Sequence, residues 1–418
     1  MFLFNSGNHG NRNKYLSHTA HKTEPSAKKQ SPFEPYLCCH TTMQMTTRNN
    51  SNKWLRFLKK TILGLTVLIA FIGLYMMHPQ FGRRPSGERL QRIQLSKQFK
   101  DGKFRNMSPT PQLTQPWTVA LYDYFFKRSN ETSPRHAIST MNIDWTKLLS
   151  QSNGLVWFGH SSYFLRLDGK NILVDPVFSG SASPIPGSVK AFKGADVSTA
   201  DDLPQIDFLF ISHDHYDHMD YKTLKALQPR VGKVIVGLGV GSHLEYWGYR
   251  PEQIIEKDWW DQVDLGNGFQ VTVTLARHFS GRSIFTANTL WASYVLQTPS
   301  LKLYLGGDSG YDSHFKEIGS QLGPFDLAIL ENGQYDLSWK HIHMMPEEVV
   351  QAAHDLKATL LFPVHSSKFV LANHAWNEPL ERISAEATKQ QQPLLTPMIG
   401  QVISLDQAPT GPSYWWRK

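Results

Sequence analysis

Cysteine is almost missing from this chain. The two that occur, Cys38 and Cys39, are adjacent in a polar N-terminal stretch, and nothing after residue 39 carries a thiol. That excludes a disulfide framework and a thiolate metal site from the rest of the sequence, and it leaves the redox compartment open. Charge is sparse too: Asp, Glu, Lys and Arg make up 19% of the residues, with a net charge of +8. The cations are scattered, apart from a cluster over Lys53–Arg92 that flanks an apolar run, and such a cluster suits a membrane surface better than nucleic acid. No RNA- or DNA-binding module signature is present, so nucleic acid is not an expected partner. No short-period repeat is visible.

The 418 residues suffice for one large domain or two ordinary ones, and at 40% hydrophobic most of the chain can bury a core. Residues 1–52 are rich in Asn, Ser, Thr, His and Lys without periodicity and read as a disordered polar tail, in which Met43 and Met45 are alternative starts. Residues 53–80 read as a transmembrane anchor. Its uncharged centre, "TILGLTVLIAFIGLYMM" (Thr61–Met77), is at the short end of the roughly 17–25 residues that span a bilayer. Trp54, Leu55, Phe57 and Leu58 lengthen it, and Lys59 and Lys60 can snorkel. No small-x-small cleavage site comes after it, which favours an anchor over a signal peptide. Arg48, Lys53, Arg56, Lys59 and Lys60 before the run balance Arg83, Arg84, Arg89, Arg92 and Lys97 after it, so the side of the catalytic domain is undetermined. Residues 81–150 read as a basic linker or approach segment that can wrap the domain C-terminal to it.

From 151 to 410 short β-type runs alternate with turn signals. "YFLRLDGKNILVD" reads as a hairpin around Asp168-Gly169. "IDFLFIS" (Ile206–Ser212) is a continuous apolar run, hence a buried strand, and "KVIVGLG", "FQVTVTLA", "SYVLQT", "KLYLGGD", "DLAILE" and "TLLFPVH" extend the series. "DYKTLKALQ" and "PEEVVQAAHDLKA" read as helices, the second opened by Pro346 and two glutamates. Strands with interspersed helices indicate an α/β layered domain.

The buried strand runs into "ISHDHYDHMD" (Ile211–Asp220). His213 and His215, two residues apart, can point to one side, and Asp217 and His218 can aim at a neighbouring point, so one loop can serve two adjacent metal sites. Imidazole and carboxylate without cysteine suit Zn²⁺, with Fe or Mn possible. Further donors come directly after apolar runs: His278 in "LARHFSG", Asp308 in "LYLGGDSG" and His365 in "LLFPVH". Two residues are candidates for support. His160 in "FGHSSY" is either a neighbour of the metal site or a hydrogen-bonded core histidine. Asp175 after "NILV" either orients a ligand histidine through its ring N–H or is a turn aspartate before Pro176. Tyr335 and Trp339, in "ENGQYDLSWKHIH", are candidates to line a mouth that admits an acyl chain.

The ordered set H-x-H-x-D-H, His, Asp, His resembles the metallo-β-lactamase superfamily over about residues 150–400. The resemblance implies an α/β fold, a four-layer αβ/βα sandwich with a dinuclear metal centre between two sheets, here preceded by the transmembrane helix. It implies two Zn²⁺: His213, His215 and His278 on one, Asp217, His218 and His365 on the other, and Asp308 bridging. The flanks "GHSSYFLRLDGKNILVDPVFS", "GGDSGY" and "HMMPEE" are similar to the branch of N-acyl-phosphatidylethanolamine-hydrolysing phospholipase D and its bacterial relatives. That implies a phosphodiesterase working through a metal-bound hydroxide and releasing N-acylethanolamine and phosphatidic acid at a membrane. Asp217 would orient the water or accept its proton, and His343 would protonate the leaving alcohol or contact phosphate. Met344-Met345 before Pro-Glu-Glu and "PVHSSKF" around His365 depart from that branch and bear on substrate identity. A lactonase or other hydrolase of the same fold is the alternative enzyme, and a non-catalytic membrane-tethered metal-binding protein is the alternative of another class. The substrate is a phospholipid or another small molecule, and the oligomeric state is open.

Overall fold

The computed structural model of the chain describes residues 48–283, 286–407 and 411–417, with side chains from Asn52 onward. Of the expected polar tail, residues 1–47, with Cys38, Cys39, Met43 and Met45, lie outside the described residues; residues 48–52 open a helix. That helix, α1 (Arg48–Met76), carries the apolar run, and Asn52–Met76 is long and apolar enough to cross a membrane. A helix pairs its backbone groups internally, as a hydrocarbon setting demands. The two threonine hydroxyls of the run comply: Thr61 and Thr66 donate to the carbonyls of Phe57 and Ile62 at 3.0 and 2.9 Å. α1 as far as Tyr75 belongs to one unit, and a second unit begins at Met76.

The second unit takes in residues 81–150 from the start. α2 (Gly87–Leu95) buries Ile93, the hairpin of β1 (Phe99–Lys100) and β2 (Lys103–Phe104) buries Phe104, and α3 (Trp117–Phe126) buries nothing. α4 (Trp145–Leu149) is capped by the Asp144 carboxylate, which accepts the Lys147 N–H at 2.8 Å. β3 (Asn153–Trp157), β4 (Tyr163–Leu167) and β5 (Lys170–Val174) form an antiparallel meander. The expected hairpin turn is there, with Asp168 and Gly169 at φ 43° and 81°, the left-handed pair a two-residue turn needs. β6 (Ile206–Ile211), α5 (Tyr221–Leu227), β7 (Val231–Gly237), α6 (Gly241–Tyr246) and β8 (Ile254–Lys257) continue with parallel strands. Then come β9 (Gln262–Gly266), β10 (Phe269–Thr274), β11 (Ser293–Gln297), β12 (Lys302–Leu305), α7 (His314–Gln321), β13 (Phe325–Glu331), α8 (Pro346–Asp355), β14 (Ala358–Val364), α9 (Glu378–Lys389) and β15 (Val402–Ser404).

Seven strands pair in the order β15-β3-β4-β5-β6-β7-β8 and six in the order β14-β13-β12-β11-β10-β9. Alternation along each strand sorts the side chains into layers. Leu155, Trp157, Phe208 and Phe210 of the first sheet share a core with Val271, Val273, Leu327 and Ile329 of the second. Their sequence neighbours Val156, Leu209 and Ile211 pack with Leu224 of α5 and Leu244 of α6, while Ala328, Leu330 and Leu361 pack with Phe315 of α7, Val349 of α8 and Ile383 of α9. Helices, sheet, sheet, helices: this is the four-layer αβ/βα sandwich of a metallo-β-lactamase fold. Trp415 and Trp416, beyond the expected domain end at residue 410, belong to the inter-sheet core.

Candidate metal centre

Strand ends supply the site. His213 to His218 come after β6, His278 after β10, Asp308 after β12 and His365 after β14, so both sheets contribute donors. The ends of β6 and β12 approach closely at Gly307, where an added Cβ would lie 2.6 Å from the Ser212 Cβ; only glycine fits there. Three residues near the sheet ends, His160, Asp175 and His365, have φ of 51°, 42° and 67°. Such backbone is strained for these residues and persists only where neighbours fix it. Here they do: the His160 N–H donates to the Ser366 carbonyl at 2.8 Å, the His365 N–H to the His160 carbonyl at 2.9 Å, and the Asp175 N–H to the Phe210 carbonyl at 3.0 Å.

The side chains fall into two groups. In the first, His213 Nε2 lies 2.8 Å from His215 Nδ1, and His278 Nε2 lies 3.3 Å from the same atom. In the second, Asp217 Oδ2 is 2.9 Å from His160 Nε2 and 3.5 Å from His218 Nε2, and donor atoms of His160, Asp217, His218 and His365 all lie within 4.8 Å of one another. Asp308 stands between them. Its Oδ2 is 3.1 Å from His218 Nε2, 3.7 Å from His278 Nε2 and 3.8 Å from His213 Nε2, and its Oδ1 is 3.1 Å from His365 Nδ1. All these residues are buried except half-buried His215. His218 Nε2 and Asp308 Oδ1 have no aligned hydrogen-bond partner, although each is close to a donor or acceptor. Buried polar atoms left that way are costly unless a ligand completes them.

Electrostatics puts most of these groups in the form that binds cations. Burial, together with the positive character of neighbouring imidazoles, holds His213 and His365 well below the usual histidine range. Burial does the same for His278, against the pull of Asp308. Burial would raise the Asp217 and Asp308 carboxyls, but His218 and its neighbours outweigh it and hold both well below the usual range. His218 goes the other way: burial opposes its charge, and Asp308, Asp217 and Asp175 together raise it. Neutral imidazoles and ionised carboxylates, converging without a thiol, fit divalent cations such as Zn²⁺.

The two residues expected to support the site, Asp175 and His160, both lie beside the donor cluster. Asp175 Oδ2 lies 2.8 Å from His218 Nδ1, and the carboxylate also accepts the Ser212 N–H and hydroxyl at 2.8 and 2.6 Å. His160 lies closer than a supporting role requires, since it joins the second donor group. His343 lies against the site, its ring 5.1 Å from that of His278 and 5.2 Å from that of His365. The structure corrects the expectation for Tyr335. That ring is 3% exposed, stacks on His374 at 4.7 Å and donates its hydroxyl to Glu378 at 3.1 Å, a packing position rather than a lining one. Trp339 is half-buried and donates its indole N–H to the Gln334 carbonyl at 2.8 Å.

Other residues of the motif brace the loop. Asp214 turns away from the donors and accepts from the Gly281 N–H at 2.6 Å and the Thr289 hydroxyl at 3.0 Å. Buried Arg282 donates to the carbonyls of Asp214 and Met219 at 2.7 and 2.6 Å and lies 4.2 Å over the Tyr216 ring. Asp220 caps α5. Two further contributors were missed by sequence reading. Glu331, the last residue of β13, places Oε2 3.5 Å from His343 Nδ1. Its signal was present, since a carboxylate ends the apolar run "DLAILE" much as His365 ends "LLFPVH". Asn106 pairs with the His278 backbone, donating to its carbonyl at 2.7 Å and accepting its N–H at 3.1 Å, and nothing in the local sequence announces that. A cavity of about 490 Å³ opens beside His278, walled by Phe104, Met107, Phe279 and Trp291 with Lys103 and Arg105 on its lining.

Residues 170–366 match the Beta-lactamase superfamily domain. An uncharacterised protein of Mycobacterium tuberculosis is 36% identical over 334 residues, covering 77% of this chain and 88% of its own. N-acyl-phosphatidylethanolamine-hydrolyzing phospholipase D 1 of Caenorhabditis elegans is 31% identical over 223 residues, 50% of this chain and 62% of its own. The mitochondrial enzyme of that description from Saccharomyces cerevisiae is 32% identical over 237 residues, 54% of this chain and half of its own length. With the sandwich and its His/Asp cluster, these matches make the chain a member of the β-lactamase superfamily with the metallo-β-lactamase fold, a metal-dependent hydrolase.

Proposed function

We propose that this hydrolase is a membrane-anchored, dizinc phosphodiesterase of the phospholipase D type, acting on N-acyl-phosphatidylethanolamine-like lipids. The observation that carries the reading is the paired donor set with Asp308 between its halves, in a chain similar to the worm and yeast phospholipases D. His213, His215 and His278 would hold one cation, Asp217, His218 and His365 the other, with Asp308 shared. When bound, the cations supply Lewis acidity and lower the pKa of water toward neutrality.

The chain's own residues do the rest. The cavity beside His278 offers apolar walls for an acyl chain and two cationic side chains for the phosphate. Asp217, buried and ionised, orients the attacking water and accepts its proton. The water oxygen bonds to phosphorus, and the bond from phosphorus to the N-acylethanolamine oxygen breaks. His343 donates a proton to that leaving oxygen; Glu331 raises the charge on its ring against the effect of burial. The products are phosphatidic acid and N-acylethanolamine. α1 would hold the enzyme at its substrate.

The test is purified full-length chain in detergent, with metal content measured and turnover monitored on N-acyl-phosphatidylethanolamine, a bis-aryl phosphodiester and lactones. Expected are zinc and both phosphodiesterase activities, lost together in His213→Ala/Asp308→Ala. Turnover of lactones alone would transfer the assignment to a lactonase, and normal turnover by the double variant would end the metal mechanism.

A further inference from the structure

The Trp117–Phe126 helix is the anomaly of the second unit. Its sequence, "WTVALYDYFF", is apolar around nearly the whole circumference, yet none of its residues is buried. Phe125 and Phe126 are 67% and 74% exposed, and Leu121, Tyr122 and Tyr124 stand open beside them. A folded protein seldom leaves so much aromatic surface in water without a partner. Nor is the helix a loose end. Before it, the Thr114 N–H donates to the Ser338 carbonyl at 2.7 Å, and after it the Ser129 N–H donates to the Asn373 carbonyl at 2.8 Å. Both ends are fastened, so the rings are held out at one place on the surface.

We propose that α3 is a lipid-binding element that inserts its rings between the headgroups and the acyl chains of a bilayer. Trp, Tyr and Phe favour that boundary layer. The one acidic side chain of the helix, Asp123, is neutralised by Lys127 at 2.8 Å. Lys127 and Arg128 close the helix and lie over the rings of Tyr122 and Tyr124, 5.9 and 5.0 Å from their centroids. Cations so placed reach lipid phosphates while the rings beneath stay in the apolar layer. Exposed Leu337, whose carbonyl accepts the Thr114 hydroxyl, widens the apolar patch. A second copy of the chain is a poorer occupant, because a symmetric contact would bring these cations against themselves.

The strap that carries α3 also reaches the candidate site, since Asn106 and Met107 upstream wall the cavity at His278. Lipid held at α3 therefore raises the supply of bilayer substrate to the cavity. This consequence rests on the phosphodiesterase reading; the lipid contact does not.

The test uses full-length chain in phosphatidylethanolamine/phosphatidylglycerol proteoliposomes. A bimane probe is attached at Phe126→Cys or, as reference, at exposed Arg250→Cys, both in a Cys38→Ser/Cys39→Ser background. Brominated acyl chains are expected to quench the probe at 126 and not the one at 250. Phe125→Ser/Phe126→Ser, which alters only exposed residues, is expected to lose roughly tenfold in turnover of bilayer phospholipid and nothing in turnover of a soluble phosphodiester. An unquenched probe at 126, or cross-linking between two copies through position 126 in place of quenching, overturns the proposal. Flotation of the vesicles reports the anchor, and the soluble substrate reports the hydrolase, so failure of either reading is separable from failure of this one.

Discussion

Glu331 gives its two oxygens different tasks. Oε1 accepts the Met344 N–H at 2.6 Å, which fixes the turn into α8, and Oε2 faces His343. Burial pushes this carboxyl up to about 7 against the opposing pull of His343. Glu331→Gln keeps an acceptor for Met344 and removes the charge beside the imidazole. It should cost about 10- to 100-fold in kcat on an alkyl phosphodiester, whose leaving group needs a proton. On an aryl phosphodiester, whose leaving group departs unaided, the loss should be much smaller. Equal losses on both substrates would make Glu331 a structural residue only. His314, in the first turn of α7, offers a separate measurement. Burial lowers it from the ordinary 6.5 to about 4, with its Nε2 against the Ser309 hydroxyl at 3.2 Å. The unfolded chain takes up this proton below 6.5 and the folded chain only near 4, so the neutral ring's contribution is whole above 6.5 and is lost as the pH falls through 4. The contribution is on the order of 3 kcal/mol. His314→Gln should flatten the fall in stability across that window, read as the difference between wild-type and variant urea midpoints; parallel curves would contradict it. The donors were legible in the sequence because each comes after an apolar strand within a turn. Tyr335 was misread for the opposite reason, since a tyrosine after a strand carries no sign of whether its ring points in or out.

α2 shows why the segment before the sandwich resists reading as a sequence. Its Arg89 donates to Glu256 Oε2 at 2.6 Å and to both Glu245 oxygens at 2.8 and 2.9 Å, partners more than 150 residues away. No local pattern records such a pairing, and residues 81–150 therefore looked like a linker. Glu256 is buried, and its other oxygen accepts the Gly239 and Gly241 N–H groups that lead into α6. Removing Arg89 leaves this buried carboxylate with the more exposed Arg92, at 3.0 Å, as its remaining cation. Arg89→Ala should therefore destabilise the unit by about 3 kcal/mol, with Arg89→Lys intermediate because a lysine cannot serve both carboxylates at once. Urea unfolding measures this, and a loss below about 1 kcal/mol would reduce the contact to a surface ion pair. The sandwich strands were readable because alternation or a continuous apolar run marks a strand buried on one or both faces. α3 was not, because a helix apolar on all sides has no stripe to detect. The short strands β8, β9 and β15 carry few apolar residues, and their pairing partners define them more than their own sequence does.

For the molecule as a whole, the decisive fact is that the donors come from both sheets. His213 to His218 come after a strand of the seven-stranded sheet, whereas His278, Asp308 and His365 come after strands of the six-stranded one. The inter-sheet core holds the layers together without them, with Trp157, Phe210, Tyr294 and Phe362 among its side chains. Cations held by those donors, at the edge of that core, would add a second link between the sheets. Anything that binds the folded state and not the unfolded one stabilises it by mass action, about 4 kcal/mol at a thousandfold excess over Kd. In a unit of this size each kcal/mol moves Tm by roughly 1–2 °C. Stripping the cations with a strong chelator should therefore lower Tm by roughly 4–8 °C while leaving one cooperative transition, because the sheets keep their apolar contact. His213→Ala/Asp308→Ala breaks the donor set on both sheets at once. Its Tm should begin low and respond little to chelator or to added zinc, whereas the wild-type Tm should return on readdition. A double variant that shifts as far as wild type under chelation would place the stabilising cation somewhere other than between the sheets.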